Sequence, residues 1–189
     1  SAVGKTGVKG VLRGVPGSKT IAIRADMDAL PVTEETGLAF ASAVPGMMHA
    51  CGHDIHMSCA LGAARMLAEA GKNDTLPGSV VMLFQPAEEA GMHSGAPKMI
   101  EEGALDGVEA IGGLHVWALL ESGKLGYRIG PVMASADIWD LKIQGKGGHG
   151  AMPHHAVDPT VTAATVISTL QTVVSREIDP QETVVLSIG

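Results

Sequence analysis

Residues 79–84 read SVVMLF, five apolar side chains in a row behind a serine. A continuous run this short, without the polar alternation of a half-exposed strand, fits a strand covered on both faces. Helices have to supply that cover, so this one segment points to helices layered on a central sheet. The neighbouring sequence agrees. SKTIAIRAD (18–26) reads as a second buried strand ending at Asp26, with residues 8–13 as its candidate pairing partner, and VEAIGGLHV (108–116) reads as a third. Between them, Ile55, Cys59, Ala63, Met66, Leu67 and Ala70 recur at helical spacing, with Asp54 a candidate N-cap and Gly71 a stop signal. GAPKMIEEGAL (95–105) is helical too. This alternation predicts an α/β fold, an open, mostly parallel sheet with flanking helices.

In such sheets ligands gather beyond the carboxyl ends of the strands. Asp26 and Asp28 follow one strand, Glu88 and Glu89 the next, and His115 ends the third. Three strand ends thus converge on acid and imidazole chemistry.

The pattern changes near residue 134. ADIWDLKIQGKGG (136–148) alternates like a half-exposed antiparallel strand, residues 158–177 read as a long helix with Pro159 in its first turn, and ETVVLSIG (182–189) reads as a strand. We therefore expect one domain over 1–133, carrying the acid and imidazole residues, and the start of a smaller α+β domain over 134–189. The last residues fall inside that strand and the first residue is Ser, so the chain is expected to be a piece of a longer protein.

Composition narrows the partners. A net charge of −7 without a basic cluster argues against nucleic acid. No apolar run approaches the length of a membrane span, so no membrane is expected as a partner. The two cysteines, Cys51 and Cys59, are too few for a disulfide framework, which points to a reducing, cytoplasmic setting.

Four stretches carry candidate chemistry. In HACGHDIHM (49–57), Cys51 and His53 are two apart and converge if the backbone turns; a thiolate with an imidazole suits Zn²⁺ and other borderline metals. The same residues are equally compatible with a buried cysteine and capping histidines, and His49 and His56 read as accessory or incidental. In FQPAEEAG (84–91), adjacent carboxylates do not easily ligate one ion together, but one can bind metal while the other moves protons. An isolated pair of this kind is more often a solvated loop. His115, in GLHV (113–116), stands in apolar company, where a histidine is usually a satisfied core residue. In GKGGHGAMPHHAVDP (145–159), glycines flank His149, as in a turn or a backbone that something approaches closely. His154 and His155 read as solvent-facing or helix-start residues.

Taken together, RADMDALP, HACGHDIH, QPAEE, GLHV and GKGGHGAMPH, in this order and spacing, resemble the metal-dependent amidohydrolases. These are the aminoacylases, hippurate hydrolases and indoleacetyl-amino-acid hydrolases, relatives of carboxypeptidase G. The resemblance runs from about residue 10 to 189 and is far more specific for the family than for the substrate. It implies two divalent metal ions, Zn²⁺ or Mn²⁺ with Co²⁺ and Ni²⁺ also admissible, held by Cys51, His53, Glu89 and His115. It implies Glu88 as general base and acid, Asp28 as the carboxylate that orients a ligand imidazole, and His149 as a substrate-binding residue of a lid domain. A further histidine ligand is implied beyond residue 189, so the 189 residues alone are expected to be inactive. The implied reaction is hydrolysis of the amide bond of a small N-acyl amino acid by a homodimer joined through the lid domain. A dipeptidase or carboxypeptidase of the same family is the alternative. So is a non-catalytic metal-binding or dimerisation module, although such a module has no use for a spare base at Glu88.

Overall fold

A computed structural model describes residues 1–73 and 76–189. It divides into two compact units, Ser1–Ala134 and Ser135–Gly189. In the first, five strands form one sheet: β1 (Ala2–Val3), β2 (Gly7–Leu12), β3 (Thr20–Asp26), β4 (Ser79–Gln85) and β5 (Ala110–Gly113), in the order β1-β2-β4-β3-β5. The sheet is mixed. β3 is parallel to β4 and to β5, while β2 is antiparallel to β4 and to β1.

The expected pairing of residues 8–13 with β3 does not occur, because β4 lies between them. β2 meets β4 from Val8↔Phe84 to Leu12↔Val80, and β3 meets its other edge from Thr20↔Ser79 to Asp26↔Gln85. The physical reason lies in β4 itself. Val80, Val81, Met82 and Leu83 are all buried, and the strand with most apolar surface to cover takes a central place.

Successive β4 side chains point to opposite faces. Val80 and Met82 join Ala25 and Ala60, with Leu67 and Phe84 packed against them; Val81 and Leu83 join Val3, Ala22, Met99 and Ala104. The first layer is closed by helix α1 (His53–Asn73) and the second by α2 (Gly95–Glu101), so the sheet has a helix on each face. Covering a Val or Leu side chain in this way is worth about 1.5–3 kcal/mol.

Helix α1 differs from its apolar pattern in two ways. Its first residue is His53, with Gly52 in the N-cap position and its carbonyl accepting from the N–H groups of Ile55 and His56; Asp54 lies in the first turn, where its charge suits the helix dipole. The helix also runs through Gly71, whose cost of about 1 kcal/mol is not enough to end it. The buried face is His53, His56 and Ala60, while Ile55 and Met66, expected inside, are 50% and 69% exposed.

The second unit contains α3 (Pro159–Thr172), continued by one π turn at Val173–Glu177. Asp158 caps α3 by accepting from the N–H groups of Thr160 and Val161, and Pro159 occupies the first turn, where a missing N–H does no harm. Residues 136–144 and 182–189 form no strand, contrary to their alternation. A strand exists through its hydrogen-bonded neighbour, and among the described residues neither segment has a ladder partner. A single bridge joins Lys146 and Val157. Gly145 makes it feasible: a Cβ there would lie 2.6 Å from the Pro159 ring and 2.7 Å from the Val157 carbonyl oxygen.

Candidate metal centre

The turn that brings Cys51 and His53 together is made by Gly52. Its φ of 82° lies in the left-handed region, and a Cβ there would meet a Val116 methyl at 2.4 Å. With the turn closed, Cys51, His53 and His115 each offer a ligand atom within 4.8 Å of one another. His53, Glu88 and Glu89 form a second such group, and the buried trio Asp26, His53 and His56 a third.

His53 lies at the centre of this network and is fully buried. Its Nδ1 is 3.2 Å from Asp28 Oδ1; the carboxylate can only accept, so the proton belongs on Nδ1 and the lone pair on Nε2. That Nε2 is buried without a hydrogen-bond partner among the described residues. It faces the carboxylates of Asp26, Glu89 and Glu88 at 3.6, 3.8 and 3.9 Å. A lone pair aimed at three carboxylates is repulsive until a cation comes between them. The residues present therefore fit a divalent ion.

Asp28 does two jobs. Besides holding His53, its Oδ2 accepts the Glu89 backbone N–H at 2.9 Å and so anchors the acidic turn. Burial alone would raise its pKa, but the backbone N–H groups of Glu89 and Glu88 and the nearby His53 hold it below the usual carboxylate range. The turn itself, Glu88–His93, begins after Ala87, a non-glycine residue at φ 53°, ψ 44°. Strain of that kind persists only where the surroundings impose it.

His115 lies two residues beyond β5, and its Nδ1 is 2.6 Å from the Val116 carbonyl oxygen. That bond places the proton on Nδ1 and leaves the Nε2 lone pair to accept from Cys51 Sγ, 3.5 Å away. The Cys51 thiol is pushed up to about 11, first by burial, then by the hydrogen bond and charge of Glu89, with Glu88 and Asp26 adding.

The sequence places Asp26 at a strand end without giving it a role, and His56 reads there as accessory or incidental. Asp26 is fully buried, accepts from Arg24 Nη1 at 2.7 Å and from His56 Nδ1 at 2.5 Å, and Arg24 is in turn held by Gln85 at 3.0 Å. Burial alone would raise the Asp26 pKa, but the His56 hydrogen bond and the Arg24 charge hold it low. The spacing of His53 and His56, three apart on one helix face, was the available signal. His149 belongs to the second unit; it is exposed, and its Nδ1 accepts the Ala151 N–H at 3.1 Å, which leaves Nε2–H as a free donor. His154 and His155 form an exposed 3₁₀ turn with Pro153, their rings 4.1 Å apart.

Comparison with known proteins gives a consistent picture. The model of peptidase family M20/M25/M40 matches residues 22–188. The chain is 48% identical to an N-acetyl-L-cysteine deacetylase of Bacillus subtilis, covering 98% of this chain and 44% of the relative. It is 47% identical to an N-acyl-L-amino acid amidohydrolase of Geobacillus stearothermophilus, covering 97% and 49%. The chain therefore spans somewhat less than half the length of these relatives. Among solved structures, a putative aminohydrolase from methicillin-resistant Staphylococcus aureus superposes with a TM-score of 0.76 at 44% identity, over 95% of this chain and 47% of that one. A dinuclear metal binding peptidase of the M20 family from Bacillus subtilis superposes with a TM-score of 0.54 at 49% identity, over 59% and 30%. No helix among the described residues is long and apolar enough to cross a membrane.

Proposed function

Because the chain belongs to peptidase family M20/M25/M40, we propose that its protein is a metal-dependent amidohydrolase that cleaves small N-acyl amino acids into a carboxylic acid and an amino acid. One observation carries this reading: the orphaned, buried His53 Nε2 facing three carboxylates, with Cys51 and His115 in reach. Cys51, His53, Glu89 and His115 hold the metal. The reading has two ions, as the resemblance implies, and a thiolate among nitrogen and oxygen donors suits Zn²⁺ or Mn²⁺, with Co²⁺ and Ni²⁺ admissible. We assign residues 1–133 to catalysis and residues 134–189 to a lid that joins two copies in a cytoplasmic homodimer.

A bound divalent ion supplies polarisation of the amide carbonyl and lowers the pKa of water beside it. The chain's own residues do the rest. Glu88, its side chain 41% exposed, takes the proton of the attacking water and returns it to the leaving nitrogen. Asp28 fixes the His53 ring and, through the Glu89 N–H, the turn that carries Glu88. His149 offers its Nε2–H to the substrate carbonyl oxygen as negative charge develops there. The family description favours one second reading, cleavage of a peptide bond in a dipeptide or at a carboxyl terminus.

The test uses the full-length protein, a panel of N-acyl amino acids and dipeptides, and metal content measured on the same samples. Glu88→Gln is expected to lower kcat at least about a hundredfold with metal retained, and Glu89→Gln to lower bound metal. The reverse pattern swaps the two roles. A wild-type protein that holds metal and hydrolyses nothing on the panel overturns the enzyme reading.

A further inference from the structure

His115 stands two residues past Gly113, where the pairing of β5 with β3 ends at Arg24↔Gly113. No sheet ladder holds it. What holds it is Val116, whose carbonyl accepts from His115 Nδ1 at 2.6 Å and whose N–H donates to His56 Nε2 at 2.9 Å. The other nitrogen of His56 donates to Asp26 Oδ1 at 2.5 Å, and Arg24, itself held by Gln85, donates to Asp26 Oδ2 at 2.7 Å. The His56 and His115 rings are 4.6 Å apart at 71°, an edge contact that fixes their mutual tilt. Val116 also presses a methyl into the space that only glycine leaves at position 52.

Both nitrogens of His56 are therefore in use. It cannot ligate an ion without breaking its buried bond to Asp26 or its half-buried bond to Val116, although it falls in the acid and imidazole trio with Asp26 and His53. We propose that His56 is a positioning residue that fixes His115 as a metal ligand by holding the Val116 N–H, with Asp26 as its anchor. The inference rests on the metal reading above. Its consequence is that the carboxyl end of β3 and the first turn of α1 preset a ligand that β5 does not reach.

The test is a double-mutant cycle on the full-length protein, titrating Co²⁺ and following its absorption, which reports thiolate and imidazole ligation. His56→Phe keeps the ring and removes both hydrogen bonds. It is expected to weaken Co²⁺ binding about tenfold or more, the usual effect of losing a bond that orients a ligand. In a His115→Ala background the same substitution should cost almost nothing further. Equal losses in both backgrounds overturn the proposal while leaving the metal reading intact, whereas a wild-type protein that takes up no Co²⁺ overturns both. His56→Asn, which keeps a donor for Asp26 and is too short for Val116, replaces His56→Phe if that variant does not fold. A second measurement needs no variant. In the metal-free wild type, nitrogen NMR should show His56 protonated on Nδ1 alone, with coupling from the Val116 amide to Nε2; a proton on Nε2 overturns the proposal.

Discussion

The candidate site in Ser1–Ala134 and the histidine turn in Ser135–Gly189 hold their imidazoles in opposite ways. His53 and His56 are 0% and 5% exposed, and each has its Nδ1 on an aspartate, Asp28 and Asp26. His149 is exposed and held by its own turn: the Met152 N–H donates to its carbonyl at 2.8 Å and the Ala151 N–H to its ring. A Cβ added at Gly147 or Gly150 would meet nothing within 4 Å. The first arrangement fixes each ring before anything binds. The second leaves a donor free for something that arrives later. One kind of residue thus serves two purposes, decided by how many of its polar atoms the fold has already used.

The largest expected effect separates the two regions directly. Asp28→Ala removes the acceptor that orients His53 and the anchor of the Glu89 N–H together, so metal affinity should fall toward the upper end of the 10–100-fold range for such partners. His149→Ala should leave metal affinity unchanged and lower activity alone. Metal titrations of the two full-length variants, run side by side, check this. A loss of metal affinity in His149→Ala comparable to that in Asp28→Ala would dissolve the distinction.

The sequence made the first region legible at its strand ends, because an acid or imidazole that follows a buried apolar run has few other places to go. Asp26, Asp28, Glu88, Glu89 and His115 were found that way. The working face of α1 was not legible, since periodicity counts apolar residues and this face opens with His53 and His56, leaving Ile55 outside. The sheet order was hidden for another reason: the apolar pattern says that residues 8–13 form a strand but not which strand they pair with. In the second region the alternation at 136–144 promised a strand, yet pairing is a property of two segments and cannot be read from one. Gly145 and Gly148, in the stretch read as a turn or as a backbone that something approaches closely, lie against Pro159, Val157 and Ala156 of their own unit. Only Gly147 and Gly150 keep the openness expected of that stretch.

The next effect in size is electrostatic and belongs to the first region. Ligation requires Cys51 as a thiolate, and in the metal-free protein burial and the Glu89, Glu88 and Asp26 carboxylates push its thiol up to about 11. With Cys51 a ligand, as proposed, metal binding must expel a proton below that pKa. The sign follows: below that pKa, each unit rise in pH lowers proton competition tenfold, so apparent affinity should climb about tenfold per unit from roughly pH 7 to pH 10 from this group alone. Cys51→Ser should reduce the slope of log affinity against pH by about one. An unchanged slope would remove Cys51 from the ligand set.

The smallest effect concerns what the open turn of the second region reaches. If residues 134–189 join two copies, as proposed, a donor on an open turn can serve the partner's site instead of its own. Full-length Glu88→Gln and His149→Ala proteins are each expected to be nearly inactive. In a mixed dimer under that arrangement, one site would contain both Glu88 and His149 intact and the other neither. Two-fold symmetry sets the ceiling, so activity per mixed dimer should recover to about half the wild-type value. Subunit exchange must be demonstrated separately, for example with differently tagged chains. If exchange occurs and nothing is recovered, His149 acts within its own chain. The contrast between a fixed metal centre and a free donor would then describe two parts of one subunit's site, with the symmetry of the dimer playing no part in the chemistry.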